Sequence, residues 1–580
     1  MSSDEEFMEV SEVFEGNPQD LNNGIYIAKR CLECFLNNEY KNAQRLSENS
    51  ENMYISLSNS SVHAIQSFAS FQLEHFNNAL TLLKKSNEIA NNLRRKDSKV
   101  FKGKNIELTE VQVHADLCYA ESLLLIAIIK IIRDEKITTL MRSGIKMREC
   151  YKCYQWCWNF VENYPEEKKN ANFRELECGV YFGYGLFNLL ISTLSSRILS
   201  LLQFLGFDGN RALGLELLKR GCRMKKNLRS VLCSLTLLCY HFYVIQILDM
   251  ETPENKEEGN LLLKTWFDQY ENSAFFLFYA GRAAQIGFDL TKAKDYLYRS
   301  IESQSEWKNF HDICYWELMW CHTIEKDWWL SLKLAEKLSL TSNWSQVIYR
   351  YLKASFIYQF IDENHNTTNE RVIGVISRYR AHMEHCLMEI PKFKQTIAGK
   401  SVPIEKFLIK KAKEYLVTKR LVLPGIEMMY VWGIFKLIPR DPDIFSNLIS
   451  IVRGARHRTN SNDLSSVNRD LALINFLEGS LHSYVQNDFT NASRCFNLVI
   501  ESNVTDSYMV PYAYFELASI HFKEGRMNEC QDAINKIENF KSFDLHNRLM
   551  FRVGGLVHKM KSSQIASSQQ EPSTSSSVNS

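Results

Sequence analysis

The residues best suited to chemistry are the fifteen cysteines, and some of them are closely spaced. Cys31 and Cys34 form one pair, and Cys150 and Cys153 form another, with Cys157 nearby. Four thiolates at tetrahedral distance would bind zinc well. Each pair falls within a predicted helix, however, whereas structural zinc pairs usually lie on turns. We therefore expect buried thiols at these positions and no metal site.

Two other groups of residues are candidates for a metal site or a phosphate-binding loop. His311 and His322 bracket a tryptophan-rich block, but they are eleven positions apart, and a helical metal pair needs a spacing of three or four. Gly206, Gly209 and Gly214 are not preceded by a predicted strand and lack the Gly-Lys-Ser/Thr sequence of a phosphate-binding loop. No glycine-rich elbow or paired histidine motif accompanies any cysteine. The sequence thus predicts a protein that is not an enzyme and holds no metal or cofactor.

The composition is typical of a soluble globular protein. Of the 580 residues, 45% are hydrophobic and 23% are charged, and the formal net charge of +2 gives no global field for binding nucleic acid. The cysteines are scattered, and the acidic N-terminus lacks a basic segment followed by an apolar run, which favours free thiols in a reducing compartment. We expect a cytoplasmic protein and leave open an association with the nucleus, the mitochondrial outer membrane or lipid droplets.

Residues 391–420 form a locally basic segment, with nine Lys or Arg residues against Glu405 and Glu414. The plainer interpretation is a solvated helix face. The sharper interpretation is a docking surface for an acidic partner or an anionic membrane. The candidate contacts in this segment are Lys406, Lys410 and Lys411.

The elements that would position such residues are paired helices. Between 274 and 301, two helical patterns are separated by a short break, and the small residues Gly281 and Ala293 lie twelve positions apart. Small side chains let two helix backbones approach each other, and the large residues around them fill the remaining space. This stretch resembles a tetratricopeptide repeat. Near the C-terminus, Gly479 with Ala492 and Ala518 with Cys530 predict two more such pairs.

The predicted fold is all-α, with tetratricopeptide-like antiparallel helix pairs stacked into an α-solenoid and longer buried central helices at about 109–133 and 136–162. Seven segments are predicted: a disordered acidic N-terminus, 1–20; N-terminal helix pairs, 21–90; a long-helix region, 107–270; repeats, 271–390; a basic segment with helices, 391–453; C-terminal repeats and a capping helix, 467–561; and a disordered Ser/Gln-rich tail, 562–580.

Two segments, 178–196 and 230–248, are apolar and free of formal charge. Each approaches the length of about 20 residues that a bilayer-spanning helix needs. Both also hold several polar side chains, including Asn188 and His241. We therefore predict buried central helices and keep a membrane hairpin as the alternative.

Several blocks go beyond a generic repeat. The most specific begin at Glu306 (Glu-Trp-Lys-Asn-Phe-His-Asp-Ile-Cys-Tyr-Trp-Glu-Leu-Met-Trp-Cys) and at Ile397 (Ile-Ala-Gly-Lys-Ser-Val-Pro-Ile-Glu-Lys-Phe). The chain resembles the animal tetratricopeptide repeat protein 39 family, which is related to the fungal inclusion body clearance protein, over roughly residues 20 to 560. The resemblance implies a helical scaffold without established catalytic residues. Fungal relatives are linked to inclusion clearance and the outer mitochondrial membrane, and animal relatives to lipid regulation.

These observations predict a non-catalytic scaffold or adaptor that binds partner proteins in a helical-repeat groove. The family resemblance implies a role in protein quality control or lipid regulation. Arg282 is the chief basic residue on the predicted groove helices, and the basic segment would be a second contact surface. The alternative is a peripheral adaptor on a membrane, lipid droplet or outer mitochondrial membrane that uses the two apolar segments. The sequence names neither the partner nor the oligomeric state.

Overall fold

The computed structural model describes residues 20–94, 109–133, 137–193, 209–397, 400–457, 464–502, 504 and 507–569. These residues are almost entirely helical, which confirms the predicted all-α repeat architecture. The chain divides into two units, Met1–Leu237 and Leu238–Ser580. The predicted division into seven shorter segments stays a prediction, and the predicted disordered residues 1–19 lie outside the described part of the chain.

Unit 1 is built from helices packed as sequential neighbours. They are α1 (Leu21–Leu36), α2 (Tyr40–Ser47), α3 (Met53–Ser70), α4 (Leu73–Leu93), α5 (Glu110–Arg133), α6 (Ile137–Glu162), α7 (Ala171–Ser192) and α8 (Arg211–Arg223). The two long helices predicted from the sequence are confirmed by α5 and α6. Polar side chains start several helices: Asn170 accepts from the Phe173 backbone N–H at the start of α7, and Asn210 accepts from Leu213 at the start of α8.

The described part of the first apolar segment is core. Residues 178–193 fall largely in α7, where Cys178, Val180 and Phe187 are fully buried in the core of unit 1. The remaining residues of that segment, 194–196, lie outside the described part of the chain. Packing within unit 1 therefore accounts for the apolar character of α7 without a membrane.

The second apolar segment contains α9 (Ser230–Cys239), a π-helical turn (Tyr240–Val244) and a short helical stretch (Ile245–Ile247). The boundary between the units falls within α9. Among the described helices, Ser230–Ile247 is one that is long and apolar enough to cross a bilayer, with a mean hydropathy of 1.6, and 56% of it is buried. Core helices of soluble proteins pass the same test.

Unit 2 continues the helical pattern with short connections. Its helices are α10 (Pro253–Phe267), α11 (Ala274–Ile286), α12 (Leu290–Glu302), α13 (His311–Ile324), α14 (Trp328–Thr341), α15 (Gln346–Glu363), α16 (Glu370–Glu389), α17 (Pro403–Thr418), α18 (Pro424–Val431), α19 (Pro442–His457), α20 (Leu464–Leu481), α21 (Phe489–Glu501), α22 (Met509–Lys523), α23 (Met527–Ile537) and α24 (His546–Gln569). Two short antiparallel strands, β1 (Thr396–Ile397) and β2 (Lys400–Ser401), precede α17.

Close backbone approaches hold the helix pairs of unit 2 together. A β-carbon built on Gly281 would lie 2.7 Å from Leu297 Cγ and 3.2 Å from the Ala293 backbone oxygen, so α11 and α12 are in direct contact there. A β-carbon on Gly479 would lie 3.0 Å from Cys495 Cβ. The remaining small residues proposed for repeat packing are fully buried: Ala293, Ala492, Ala518 and Cys530.

The last helix of unit 2 returns to the beginning of the same unit. Gly555 on α24 packs against the backbone of Leu248, and Arg552 forms an ion pair with Asp249, 303 positions earlier in the chain. This helix was predicted as a cap ending near Lys561, with disorder from Ser562. The structure continues α24 to Gln569, and the disorder predicted for the tail stays a prediction for residues 570–580, which lie outside the described part of the chain. Unit 2 is therefore closed by contact between its two ends.

Candidate binding site inside unit 2

The interior of unit 2 contains two adjoining cavities. The first, which we call the aromatic cavity, has a volume of about 240 Å³, and its walls include Trp316, Trp320, Trp432, Tyr512 and Arg548. The second, the lysine cavity, has a volume of about 600 Å³, and its walls include Asp249, Glu251, Lys436, Lys523 and Lys559. Lys436 and Tyr484 line both cavities. The arrangement suits binding of a ligand or peptide segment that presents both apolar and charged groups.

A buried hydrogen-bond network around Arg552 separates and supports these cavities. The Arg552 guanidinium lies 2.9 Å from Glu516 Oε1, and it donates to the hydroxyl oxygens of Tyr430 at 2.9 Å and Tyr484 at 2.7 Å. Both tyrosine hydroxyls in turn donate to the Glu516 carboxylate, at 2.6 and 2.8 Å. Burial raises the pKa of both tyrosines well above the usual value. Because every polar group has a partner, the network fixes α24 against α18 and α22.

Asp249 links this network to the start of unit 2. Its carboxylate forms ion pairs with Arg552 and with Lys436, which also donates to the Gln246 backbone oxygen at 3.2 Å. Burial alone would raise the pKa of Asp249, but the two cations outweigh it and hold that pKa well below its ordinary value. Asp249 is therefore a carboxylate at neutral pH.

Arg282, predicted as a groove residue, does line the aromatic cavity, but it is already paired. Its Nη1 lies 3.1 Å from Glu317 Oε2, and its Nε donates to the Phe242 backbone oxygen at 3.3 Å. Tyr243 Oη donates to the same carboxylate at 3.0 Å. Arg282 thus holds α11 and α13 together, and its contact with a partner stays a prediction.

The three lysines predicted as a second contact surface all lie on α17, away from Arg282. Lys406 is exposed, whereas Lys410 pairs with Asp544 at 2.9 Å and Lys411 pairs with the buried Glu427 at 2.8 Å. Two of the three charges therefore stabilise unit 2 internally. Their binding to an acidic partner remains untested, and Lys406 offers the simplest probe of it.

Of the five cysteines that suggested zinc, four are buried thiols and Cys34 is half-buried. Cys31 donates to the Ala43 backbone oxygen at 3.2 Å, and Cys150 donates to that of Ala120 at 3.3 Å. Burial raises the pKa of the Cys31 thiol to about 11 and that of Cys150 well above its ordinary value, so neither forms a thiolate readily. In the described part of the chain, no group of three or more His, Cys, Asp or Glu residues could hold a metal ion.

The sequence analysis missed Asp249, Trp432, Arg548 and Arg552 as site residues. One available signal was on the predicted capping helix, where Arg552 falls in phase with the buried Leu549 and Leu556. An arginine within the apolar stripe of a helix indicates a buried ion pair or a ligand contact. The partner carboxylate on Asp249 had no comparable local signal.

Comparison with known proteins identifies the family. The model for Iml2/Tetratricopeptide repeat protein 39 matches residues 29–485. The chain belongs to this family. A Caenorhabditis elegans relative, tetratricopeptide repeat protein ttc-39B, is 28% identical over 586 residues that cover 96% of each chain. The resemblance inferred from the tryptophan-rich block and the 397–407 block is therefore confirmed.

Two solved helical structures are distantly similar to this Iml2/Tetratricopeptide repeat protein 39 family member. The human IFIT1 dimer with m7Gppp-AAAA has a TM-score of 0.33 and 10% identity, covering 91% of this chain and 96% of that one. Yeast Tom70 has a TM-score of 0.26 and 8% identity, covering 95% and 99%. At these TM-scores the likenesses have no bearing on function.

Proposed function

We propose that this chain is a non-catalytic adaptor that binds partner proteins through the interior of unit 2. The observation that carries the proposal is a tetratricopeptide-like stack whose inner face keeps two adjoining cavities with aromatic and basic walls. Trp, Tyr and Arg are the residues most enriched where binding energy concentrates in protein interfaces. The finer proposal, a cytoplasmic role in protein quality control or lipid regulation, rests on what the resemblance to the family implies.

The lysine cavity gives the proposed interface its charge. Lys523 and Lys559 line it without an ion-pair partner among the described residues, and burial lowers the pKa of both. The carboxylates of Asp249 and, for Lys559, of Glu251 stabilise these ammonium groups only from beyond ion-pair distance, so a partner that brought carboxylates into the cavity would add direct ion pairs. We therefore propose that the partner segment is acidic and carries apolar side chains.

Proximity labelling in cells with two charge-reversed forms of the protein tests this proposal. The combined substitution Lys523→Glu and Lys559→Glu should remove a defined set of labelled proteins. The matched control Lys541→Glu, at an exposed position of unit 2, should keep that set. Identical labelling by both forms, with equal expression and equal thermal unfolding, would remove the lysine cavity from the proposed interface.

A peripheral membrane adaptor remains the second candidate, because Ser230–Ile247 meets the length and hydropathy requirement of a membrane span. Flotation of the purified protein with anionic liposomes separates the possibilities. Association that resists carbonate would indicate insertion of the apolar helix. Association that is lost in salt, and in Lys406→Gln, would instead indicate the basic face of α17.

A further inference from the structure

Among the described residues, Arg548 differs from the other cations on the aromatic cavity in having no acidic partner. Arg282 pairs with Glu317, Arg552 pairs with Glu516, and Lys436 pairs with Asp249. In the described part of the chain, no carboxylate lies within ion-pair distance of Arg548. Burial, reinforced by the charge of Arg552, lowers the pKa of the half-buried Arg548.

The surroundings of Arg548 are aromatic. Its guanidinium carbon lies 5.4 Å from the ring centroid of Trp432, and the Trp432 ring meets Trp316 edge-on at 4.9 Å between centroids. A guanidinium that rests on an aromatic ring keeps its N–H groups available for bidentate pairing with an oxyanion. The Trp432 indole Nε1 is itself buried, with no acceptor among the described residues. Two donors of this site thus lack acceptors.

The size and charge of the aromatic cavity limit what could bind there. Its volume of about 240 Å³ is below the usual range for drug-sized ligands, about 300 to 1,000 Å³, so it suits a ligand of roughly ten to fifteen heavy atoms. One unpaired guanidinium balances one negative charge. The Glu317 carboxylate on the same cavity wall would repel a dianion more strongly than a monoanion.

We propose that the aromatic cavity of unit 2 binds a small organic carboxylate with a planar apolar body, in which the carboxylate pairs with Arg548 and the body packs on the tryptophans. This ligand is a small molecule, so the inference goes beyond the partner-protein proposal: it assigns the aromatic cavity to the ligand and leaves the lysine cavity as the charged contact for a partner. Bidentate pairing explains the choice of Arg at position 548, and the tryptophans Trp316 and Trp432 explain the preference for a flat ligand.

Titration calorimetry on the full chain, with tryptophan fluorescence as a second readout, tests this inference. The probes are 3-phenylpropionate, its uncharged amide 3-phenylpropanamide, and phenyl phosphate. We expect the carboxylate to bind best, and Arg548→Gln to weaken its binding by about 10- to 100-fold, since a hydrogen bond to a charged group contributes about 1.5–3 kcal/mol. Lys561→Gln, at an exposed position of the same helix, should bind like the wild type.

The variants also give the outcomes that would overturn the inference. Equal binding of the carboxylate and the amide, or unchanged carboxylate binding by Arg548→Gln, would mean that Arg548 is only hydrated. Tighter binding of phenyl phosphate would overturn the assignment of a monoanion. Arg548→Lys keeps the positive charge, so it should retain part of the affinity for the carboxylate. A folded Arg548→Lys protein that does not bind the carboxylate would contradict charge pairing. Thermal unfolding of each variant shows whether a loss reflects misfolding.

Discussion

At the scale of single residues, Asp249 is the charge on which two cations of unit 2 depend. We expect Asp249→Asn to lower the free energy of unfolding by about 2 kcal/mol, because Arg552 and Lys436 lose the buried carboxylate that they share. Each cation keeps one other carboxylate, Glu516 for Arg552 and Glu251 for Lys436, so the loss is smaller than for an unpaired buried charge. Urea denaturation of the full chain measures the change. The control Asp295→Asn removes an exposed, long ion pair with Arg299 and should cost less than about 0.5 kcal/mol.

The stability difference between the wild type and Asp249→Asn should depend on pH, because the pKa of Asp249 is lowered. A carboxylate with a depressed pKa in the folded state contributes stability above its unfolded pKa, about 3.9, and loses it as pH falls through the folded pKa. The wild type and Asp249→Asn should therefore differ by a constant amount from pH 7 to pH 5. Below about pH 4 the difference should narrow. A difference that grew in acid would contradict the ion-pair assignment.

His114 of unit 1 is a buried histidine that we expect to be neutral in the folded state. It lies 2.6 Å from the Tyr54 hydroxyl, and burial, reinforced by the charge of Arg229, lowers its pKa to about 3. The unfolded state then binds a proton that the folded state does not, below the unfolded pKa of about 6.5. Lowering the pH from 7 to 5 should therefore reduce the free energy of unfolding by about 2 kcal/mol through His114.

Urea denaturation at pH 7 and pH 5 checks this prediction with His114→Gln, which keeps a polar partner for Tyr54 and does not titrate. The variant should lose less stability than the wild type as the pH is lowered. The same loss in both proteins would show that other groups account for the acid sensitivity of unit 1.

At the scale of helices, Gly281 tests the packing of α11 on α12. We expect Gly281→Ala to destabilise unit 2 by about 1–2 kcal/mol, because its β-carbon would lie 2.7 Å from Leu297 Cγ and overpack the contact. The control is Gly374→Ala on α16, where nothing lies within 4 Å of the added atom. There, helix propensity should raise stability by up to about 1 kcal/mol. Thermal unfolding shows whether each substitution lowers or raises the stability of the protein.

Helix length and pairing were readable from the sequence because they depend on local spacing. Unbroken 3.6-residue periodicity gave α5 and α6 almost to the residue, and the spacing of Gly281 and Ala293 gave a helix contact. The end of α24 was not predicted, because Ser- and Gln-rich composition indicated disorder where the structure continues the helix to Gln569. Composition alone does not show where a helix ends.

At the scale of the molecule, the closure of unit 2 could not be predicted from the sequence. It depends on contacts such as Arg552 with Asp249, and no local pattern relates residues 303 positions apart. Residues of α24 and of the short helix α18 line the interior of unit 2, where a helical-repeat groove was predicted. Within this interior, Arg282 is paired with Glu317, and its contact with a partner stays a prediction. The cavities that remain are the part of the groove available to a ligand or partner.

The measurement that tests the central claim most directly is photocrosslinking in cells from two positions of unit 2. Benzoylphenylalanine replaces Ile247, which is exposed beside the aromatic cavity, or Tyr298, which is exposed on α12 and does not line either cavity. If partners bind the interior, position 247 forms adducts with a discrete protein, position 298 does not, and Lys523→Glu with Lys559→Glu abolishes them. Adducts of equal yield from both positions, or from position 298 alone, would contradict a partner site inside unit 2.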